Sequence, residues 1–205
     1  MRGRFMLSSM ESGSLMERDV IVIVSGLARS GTSMMMRILE DGGLEVLTDG
    51  VRKGDEDNPE GYYELESVKR LAEDQSCLRA GGGKAIKIIS SLLQHLLAEY
   101  YYRVIFMDRS MDEIIASQRK MLVNRGEPAR VENEERVASL FRQHLVQVKG
   151  WLEAQPHIDV ICVDYNKMVE DPRKHIERVN RFLGGRMNVE MMVNAVDIAL
   201  YRQRK

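Results

Sequence analysis

Cysteine is scarce: the 205-residue chain has two, Cys77 and Cys162, and neither stands in a CxxC pair. Two isolated cysteines build neither a disulfide framework nor a structural zinc site, so a reducing, cytoplasmic setting is the simpler expectation. Long apolar runs are missing as well. The longest, Val20–Val24, has five residues, about a quarter of the ~20 that cross a bilayer, and no membrane span is expected. Charge of one sign is not in excess: 30 Lys+Arg against 31 Asp+Glu give a formal net charge of −1 at pH 7. That balance argues against nucleic acid as a partner, since phosphate contacts demand a basic surplus. Residues Met1–Asp19 hold Arg2 and Arg4, but Glu11, Glu17 and scattered Ser and Gly stand where a secretory signal needs an apolar core. Residues 1–18 therefore read as a flexible tail, and 19–205 as one domain. No repeat or low-complexity segment is visible.

What is present is a soluble-globular composition, 44% hydrophobic and 30% charged. Val20–Val24 is rich in β-branched residues and apolar throughout, as a strand buried on both faces of a parallel sheet must be. Ala85–Ile89, Arg103–Met107 and Asp159–Val163 are further candidate strands. Helical patterns lie between them at Ser33–Leu39, Glu64–Ala80, Ser91–Tyr100, Asp112–Arg125, Glu132–Gln155 and Pro172–Leu183. Strands alternating with helices predict an α/β domain with a mostly parallel central sheet flanked by helices. Ser110 with Glu113 reads as a capping box, and Asp171-Pro172 as an N-cap followed by proline at the first helical position.

Although the total is near zero, charge is uneven. Glu40–Asp74 carries 12 acids against 4 bases, whereas Arg173–Lys205 carries 8 bases against 3 acids. Each run reads first as a solvated face. The acidic one would favour a cationic or amine-bearing ligand, and the basic terminus at Arg202, Arg204 and Lys205 could close over an anion. The 14 methionines read mainly as core filler.

The strongest chemical feature is Gly26-Leu-Ala-Arg-Ser-Gly-Thr-Ser33, set between a buried strand and a helix. Glycines let such a loop close on a phosphate, successive N–H groups point inward, and the helix N-terminus adds its positive dipole end. Gly26, Arg29, Ser30, Gly31, Thr32 and Ser33 are thus candidate anion-binding residues of a P-loop type of site. Position 32 is Thr where the nucleotide-triphosphate pattern requires lysine. The cation stands instead at Arg29.

Arg29-Ser-Gly-Thr-Ser33 resembles the 5′-phosphosulfate loop of the sulfotransferases, P-[RK]-S-G-T-[ST], at every place except the leading proline, which is Ala28 here. That family's 3′-phosphate site uses an Arg just after a central strand and a Ser eight residues later, and Arg109 and Ser117 fall at that separation. Asn58-Pro-Glu-Gly-Tyr-Tyr-Glu64, Val163-Asp-Tyr165, Glu170-Asp-Pro172 and Phe182-Leu-Gly184 are also similar to family segments. The resemblance, over about Val20–Leu200, implies transfer of a sulfuryl group from 3′-phosphoadenosine 5′-phosphosulfate (PAPS), without a metal, to a small-molecule hydroxyl or amine acceptor. It implies stabilising charge at Arg29 and phosphate contacts at Arg109 and Ser117. The family's R-K-G-x-x-G segment near the C-terminus is absent.

A general base is needed to take the acceptor's proton. Animal cytosolic sulfotransferases use a His shortly after a strand lysine, which Lys87-Ile-Ile89 does not offer. Other branches use a glutamate, and Glu64 is the first candidate, with a plain helix-start carboxylate as its alternative. Asp55 and Glu56 are weaker candidates, and His95 reads as an amphipathic-helix residue. Lys84 and Lys87 flank a strand and either face a ligand crevice or snorkel. Two other functions stay open at this point. One is a magnesium-dependent P-loop kinase or nucleotide hydrolase with Asp108 and Ser33 as metal ligands; the other is a non-catalytic nucleotide-binding protein.

Overall fold

Successive side chains of a strand point to opposite faces, so the run of alternating Val and Ile from position 20 has an apolar group for each side of a sheet. The computed structural model describes residues 20–51, 54, 61–124, 126 and 134–196. In it this run is β1 (Val20–Gly26), the centre of a five-stranded sheet with β2 (Val46–Leu47), β3 (Ala85–Lys87), β4 (Tyr101–Asp108) and β5 (Ile158–Asp164). The order is β2-β3-β1-β4-β5 and every neighbouring pair is parallel. The expected α/β class with a parallel sheet is what the chain adopts.

Each face of the sheet has its own core. Val22 and Val24 pack with Met35, Met36, Ile176, Val179 and Met192, contributed by α1 (Thr32–Asp41), α6 (Pro172–Phe182) and α7 (Val189–Asn194). Ile21 and Ile23 pack on the other side with Leu78, Leu93 and Leu152, beneath α2 (Ser76–Arg79) and α4 (Glu134–Glu153). Ile21, Ile23 and Val24 are completely buried, and removing each from water contributes about 1.5–3 kcal/mol. After β1 the chain builds β2 and β3 on one side and then crosses to β4 and β5 on the other. The carboxyl end of β1 is therefore a topological switch point, where open α/β sheets bind ligands.

Two expected helices are broken. Over Glu64–Ala80 the chain forms a 3₁₀ segment, Glu66–Arg70, and the single turn α2. Asp74 Oδ1 accepts from the Ser76 amide at 2.9 Å, a side-chain bond that competes with helix continuation. Over Ser91–Tyr100 only Ser90–His95 is helical, again 3₁₀. Its buried residues Ser90 and Leu93 lie three positions apart, and buried Leu96 follows the segment at the same spacing, which is the 3₁₀ repeat. α3 (Met111–Asn124), α4 and α6 lie where the periodicity placed them. The short elements β2, α5 (Tyr165–Glu170) and α7 were not expected.

Asp171 caps α6 by accepting from the Lys174 amide, with Pro172 at the helix start. The capping box at Ser110 is replaced by a tertiary one. Glu113 accepts from Arg109 and Asn166, and the Ser110 amide donates to Asn166 Oδ1 at 3.2 Å. The 1–18 tail, Asp55, Glu56, Asn58 and the basic terminus at Arg202, Arg204 and Lys205 lie outside the described residues.

Candidate functional site

The loop between β1 and α1 is shaped by three residues in the left-handed half of backbone space: Gly26 (φ 147°), Arg29 (φ 75°) and Gly31 (φ 95°). At Gly26 a Cβ would lie 2.6 Å from the Met107 carbonyl oxygen, so the close approach of β4 requires glycine. At Gly31 it would run into the Tyr165 ring. Arg29 pays the steric penalty without being glycine, about 1–2 kcal/mol. The Ser30 amide donates to the Leu27 carbonyl at 3.1 Å and the Met35 amide to the Gly31 carbonyl at 3.1 Å, closing the loop onto the first turn of α1. Ser30 is 1% exposed, yet its hydroxyl has no hydrogen-bond partner among the described residues. A buried hydroxyl without a partner is costly, and this one sits against Gly26, where an added Cβ would lie 2.5 Å from it.

Tertiary structure brings the second pair of predicted residues to the same place. Arg29 Nε donates to Ser117 Oγ at 2.9 Å, and Arg109 Nη1 donates to the Arg29 carbonyl at 3.0 Å. Arg109 is further held by Glu113 Oε2 at 2.8 Å, and its guanidinium carbon lies 4.5 Å from the centre of the Tyr165 ring. Arg109 and Glu113 side chains are 8% and 7% exposed, so this pair exists only because its charges are mutually satisfied. Asn166 Nδ2 completes it by donating to Glu113 Oε1 at 2.7 Å. The sulfotransferase resemblance pointed to Arg109 and Ser117; Glu113, Tyr165 and Asn166 as supports of Arg109 carried no local signal.

On the other flank of the loop Lys87 leaves the end of β3. Its ammonium donates to Ser33 Oγ at 3.1 Å and to the Tyr62 carbonyl, and lies 3.9 Å from Glu64 Oε1. The Lys87 side chain is 9% exposed and that of Glu64 23%, so the glutamate keeps access to solvent while the lysine is nearly enclosed. Ser33 also donates to the Tyr62 carbonyl at 3.3 Å. Glu64 is steadied through its own backbone, whose carbonyl accepts from Thr48 Oγ1 at 3.0 Å. Next to it Tyr63 adopts φ 51° and donates to Glu40 at 2.7 Å. Burial and the Glu40 carboxylate push the Tyr63 phenol well above the usual range. Lys84, by contrast, pairs with Glu45 at the strand's opposite end.

Three other residues named from sequence fall elsewhere. Asp108 accepts from Lys149 Nζ at both oxygens, at 2.8 and 2.6 Å, so the carboxylate that a magnesium-dependent enzyme would need is tied to a cation. His95 ends the second 3₁₀ segment beside Gln94. A different imidazole, His144 of α4, lies 2.9 Å from buried Ser90 just beyond β3; nothing in the local sequence marks it. Among the described residues no group of three or more His, Cys, Asp or Glu side chains is arranged to hold a metal, and no helix is long and apolar enough to cross a membrane.

Comparison with known proteins agrees with this fold. The Sulfotransferase domain family profile matches residues 19–204. Among solved structures, the sulfotransferase domain of the Synechococcus PCC 7002 olefin synthase superposes with a TM-score of 0.55 at 16% identity, covering 90% of this chain and 86% of that one. A mouse sulfotransferase complexed with PAP superposes with a TM-score of 0.56 at 14% identity, covering 92% and 68%. At those identities the likeness is one of fold. No curated protein matches the sequence. A profile match over nearly the whole chain, on a parallel sheet whose switch point carries the loop, places the chain in the sulfotransferase family.

Proposed function

We propose that the chain transfers the sulfuryl group of PAPS to a hydroxyl or amine of a small-molecule acceptor and releases adenosine 3′,5′-bisphosphate (PAP). The observation that carries this reading is the convergence of Arg29, Ser117 and Arg109 on one loop from positions far apart in sequence. Two guanidinium groups and the Ser117 hydroxyl suit a ligand with phosphate at both ends of a ribose. The partnerless Ser30 hydroxyl supports the same choice, as does the PAP-complexed mouse sulfotransferase of the same fold.

In the reaction the acceptor's lone pair attacks sulfur, the bond from sulfur to the bridging oxygen breaks, and negative charge gathers on that oxygen. Arg29 and the N–H groups at the start of α1 face that charge as preorganised donors. Lys87, fixed against Ser33, adds a second cation on the opposite flank. Glu64 takes the proton that the acceptor loses and passes it to water, the product being a sulfate ester from a hydroxyl or a sulfamate from an amine, while PAP departs with the bridging oxygen. Arg109 and Ser117 hold the 3′-phosphate. With two side-chain cations at the loop the scheme calls on no metal, and the pairing of Asp108 with Lys149 takes support from the magnesium-dependent alternative.

Calorimetric binding of PAP beside ATP and GTP, each with and without magnesium, tests the reading. Metal-independent preference for PAP is expected, with a stability gain of about 2.7 kcal/mol at a hundred times Kd. Magnesium-dependent preference for ATP or GTP would overturn it.

A further inference from the structure

Arg29 holds a left-handed conformation, φ 75°, which persists in a non-glycine residue only where surrounding bonds over-determine it. One of those bonds is the 3.0 Å contact from Arg109 Nη1 to its carbonyl. Arg109 can make that bond, and keep its planar fork aimed, because Glu113 fixes its Nε at 2.8 Å and the Tyr165 ring lies against its flat face. Glu113 is 6% exposed, so its second oxygen needs a donor of its own.

Asn166 is that donor, and the geometry leaves it a single orientation. Nδ2 donates to Glu113 Oε1 at 2.7 Å while Oδ1 accepts the Ser110 amide at 3.2 Å. Turning the side-chain amide over would set an oxygen against a carboxylate and an amino group against a backbone N–H. An amide is the side chain that satisfies both neighbours at once. A carboxylate at this place would accept from Ser110 equally well but would confront Glu113 at hydrogen-bond distance, and one of the two would have to bind a proton.

We propose that Asn166 is a positioning residue for the donor nucleotide. Through Glu113 it aims the Arg109 guanidinium, and through Arg109 it secures the left-handed turn at Arg29. It thereby ties the junction of β5 and α5 to the anion loop, at a distance in sequence of 137 positions from Arg29. The proposal rests on the PAPS reading above.

The test is calorimetric binding of PAP and of adenosine 5′-monophosphate to the full chain, to Asn166→Ala and to Asn166→Asp, between pH 5 and pH 8. Near-ultraviolet circular dichroism and thermal unfolding check that each variant is folded. Asn166→Ala is expected to weaken PAP about tenfold, the effect of one lost hydrogen bond to a charged group, and the monophosphate less, because Arg109 serves the 3′-phosphate. Asn166→Asp is expected to bind PAP more weakly still at pH 8 and to recover as pH falls, since a protonated carboxyl donates to Glu113 in the amide's place. A merely structural residue would show no such recovery and would weaken both nucleotides equally; that outcome, or wild-type affinity in both variants, overturns the proposal. If Asn166→Asp does not fold at pH 8, the contrast between nucleotides in Asn166→Ala decides alone. A wild-type chain that ignores PAP removes the PAPS reading and this proposal together, whereas wild-type binding with unaffected variants removes only the positioning role.

Discussion

Arg29 Nε donates to Ser117 Oγ at 2.9 Å, joining the anion loop to the second turn of α3 across 88 positions of sequence. The two residues therefore act as one unit, and substitutions in them should not add. Ser117→Ala and Arg29→Ala are each expected to weaken PAP, by about 10- to 100-fold for loss of a bond involving a charged group. The double variant should fall short of the product of the single losses. Calorimetry on the four proteins measures the coupling, and strict additivity would separate the two residues functionally. Arg29→Ala should also lower the rate of transfer, since in the proposed mechanism Arg29 supplies charge to the leaving oxygen.

Arg109 does more in the structure than the proposed 3′-phosphate contact requires. A pure 3′-phosphate ligand, when lost, would spare nucleotides without that phosphate. Because Arg109 also holds the Arg29 carbonyl, Arg109→Ala should weaken PAP most and adenosine 5′-monophosphate to a smaller but measurable degree. Arg109→Lys should rescue neither fully, as an ammonium lacks the planar fork that reaches Glu113 and the loop together.

Gly31→Ala should destabilise the fold, by about 1–3 kcal/mol from strained backbone and more from the clash with Tyr165. Urea unfolding measures this. Tyr165→Ala opens the space for the added methyl, so Gly31→Ala should cost less in a Tyr165→Ala background than in the wild type, with the φ of 95° as what remains of that cost.

Glu64 and Lys87 separate chemistry from binding. Glu64→Gln is expected to lower kcat by about 10²- to 10⁴-fold, the usual worth of a general base, while PAP affinity stays near wild type. Lys87→Met should reduce both transfer and folding stability, because Lys87 also ties Ser33 to the Tyr62 carbonyl. An unchanged kcat in Glu64→Gln would move the search for the base to another residue.

Asp49 gives a pH dependence with a definite sign. Its carboxylate accepts from the Glu66 amide at 2.6 Å and the Val51 amide at 3.0 Å, and these bonds, the Glu66 one foremost, hold it below the usual carboxylate range. A depressed folded-state pKa contributes stability that is complete above the unfolded value of about 3.9 and is lost as pH falls through the folded value. Thermal unfolding between pH 5 and pH 2.5 should therefore show a steeper acid decline in the wild type than in Asp49→Asn.

Much of the fold was legible because its signals are local. The β-branched run at Val20–Val24 and the turn chemistry of Gly26 and Gly31 sit within a few residues of the structures they dictate. Asp171-Pro172 carries its own cap. The failures have a common cause. Glu64–Ala80 and Ser91–Tyr100 have apolar residues at helical spacings, but their backbones follow what the sheet face will accept, a 3₁₀ repeat in one and an Asp74 side-chain bond in the other. At Ser110 a local capping box lost to Asn166, because Glu113 is worth more to a buried guanidinium than to an exposed helix end.

By itself the sequence determined the parallel α/β class and the loop at Gly26–Ser33, since each is written in contiguous or regularly spaced residues, while Arg109 and Ser117 were marked only by the resemblance to the sulfotransferases. Only the tertiary structure decided that Arg29 meets Ser117, that Lys87 rather than Lys84 enters the site beside Glu64, that Asp108 is held by Lys149, and that Asn166 and Tyr165 support the loop. Those contacts join strand ends and helix starts from opposite halves of the chain, and their partners are chosen by sheet order and crossover direction, which no local pattern encodes.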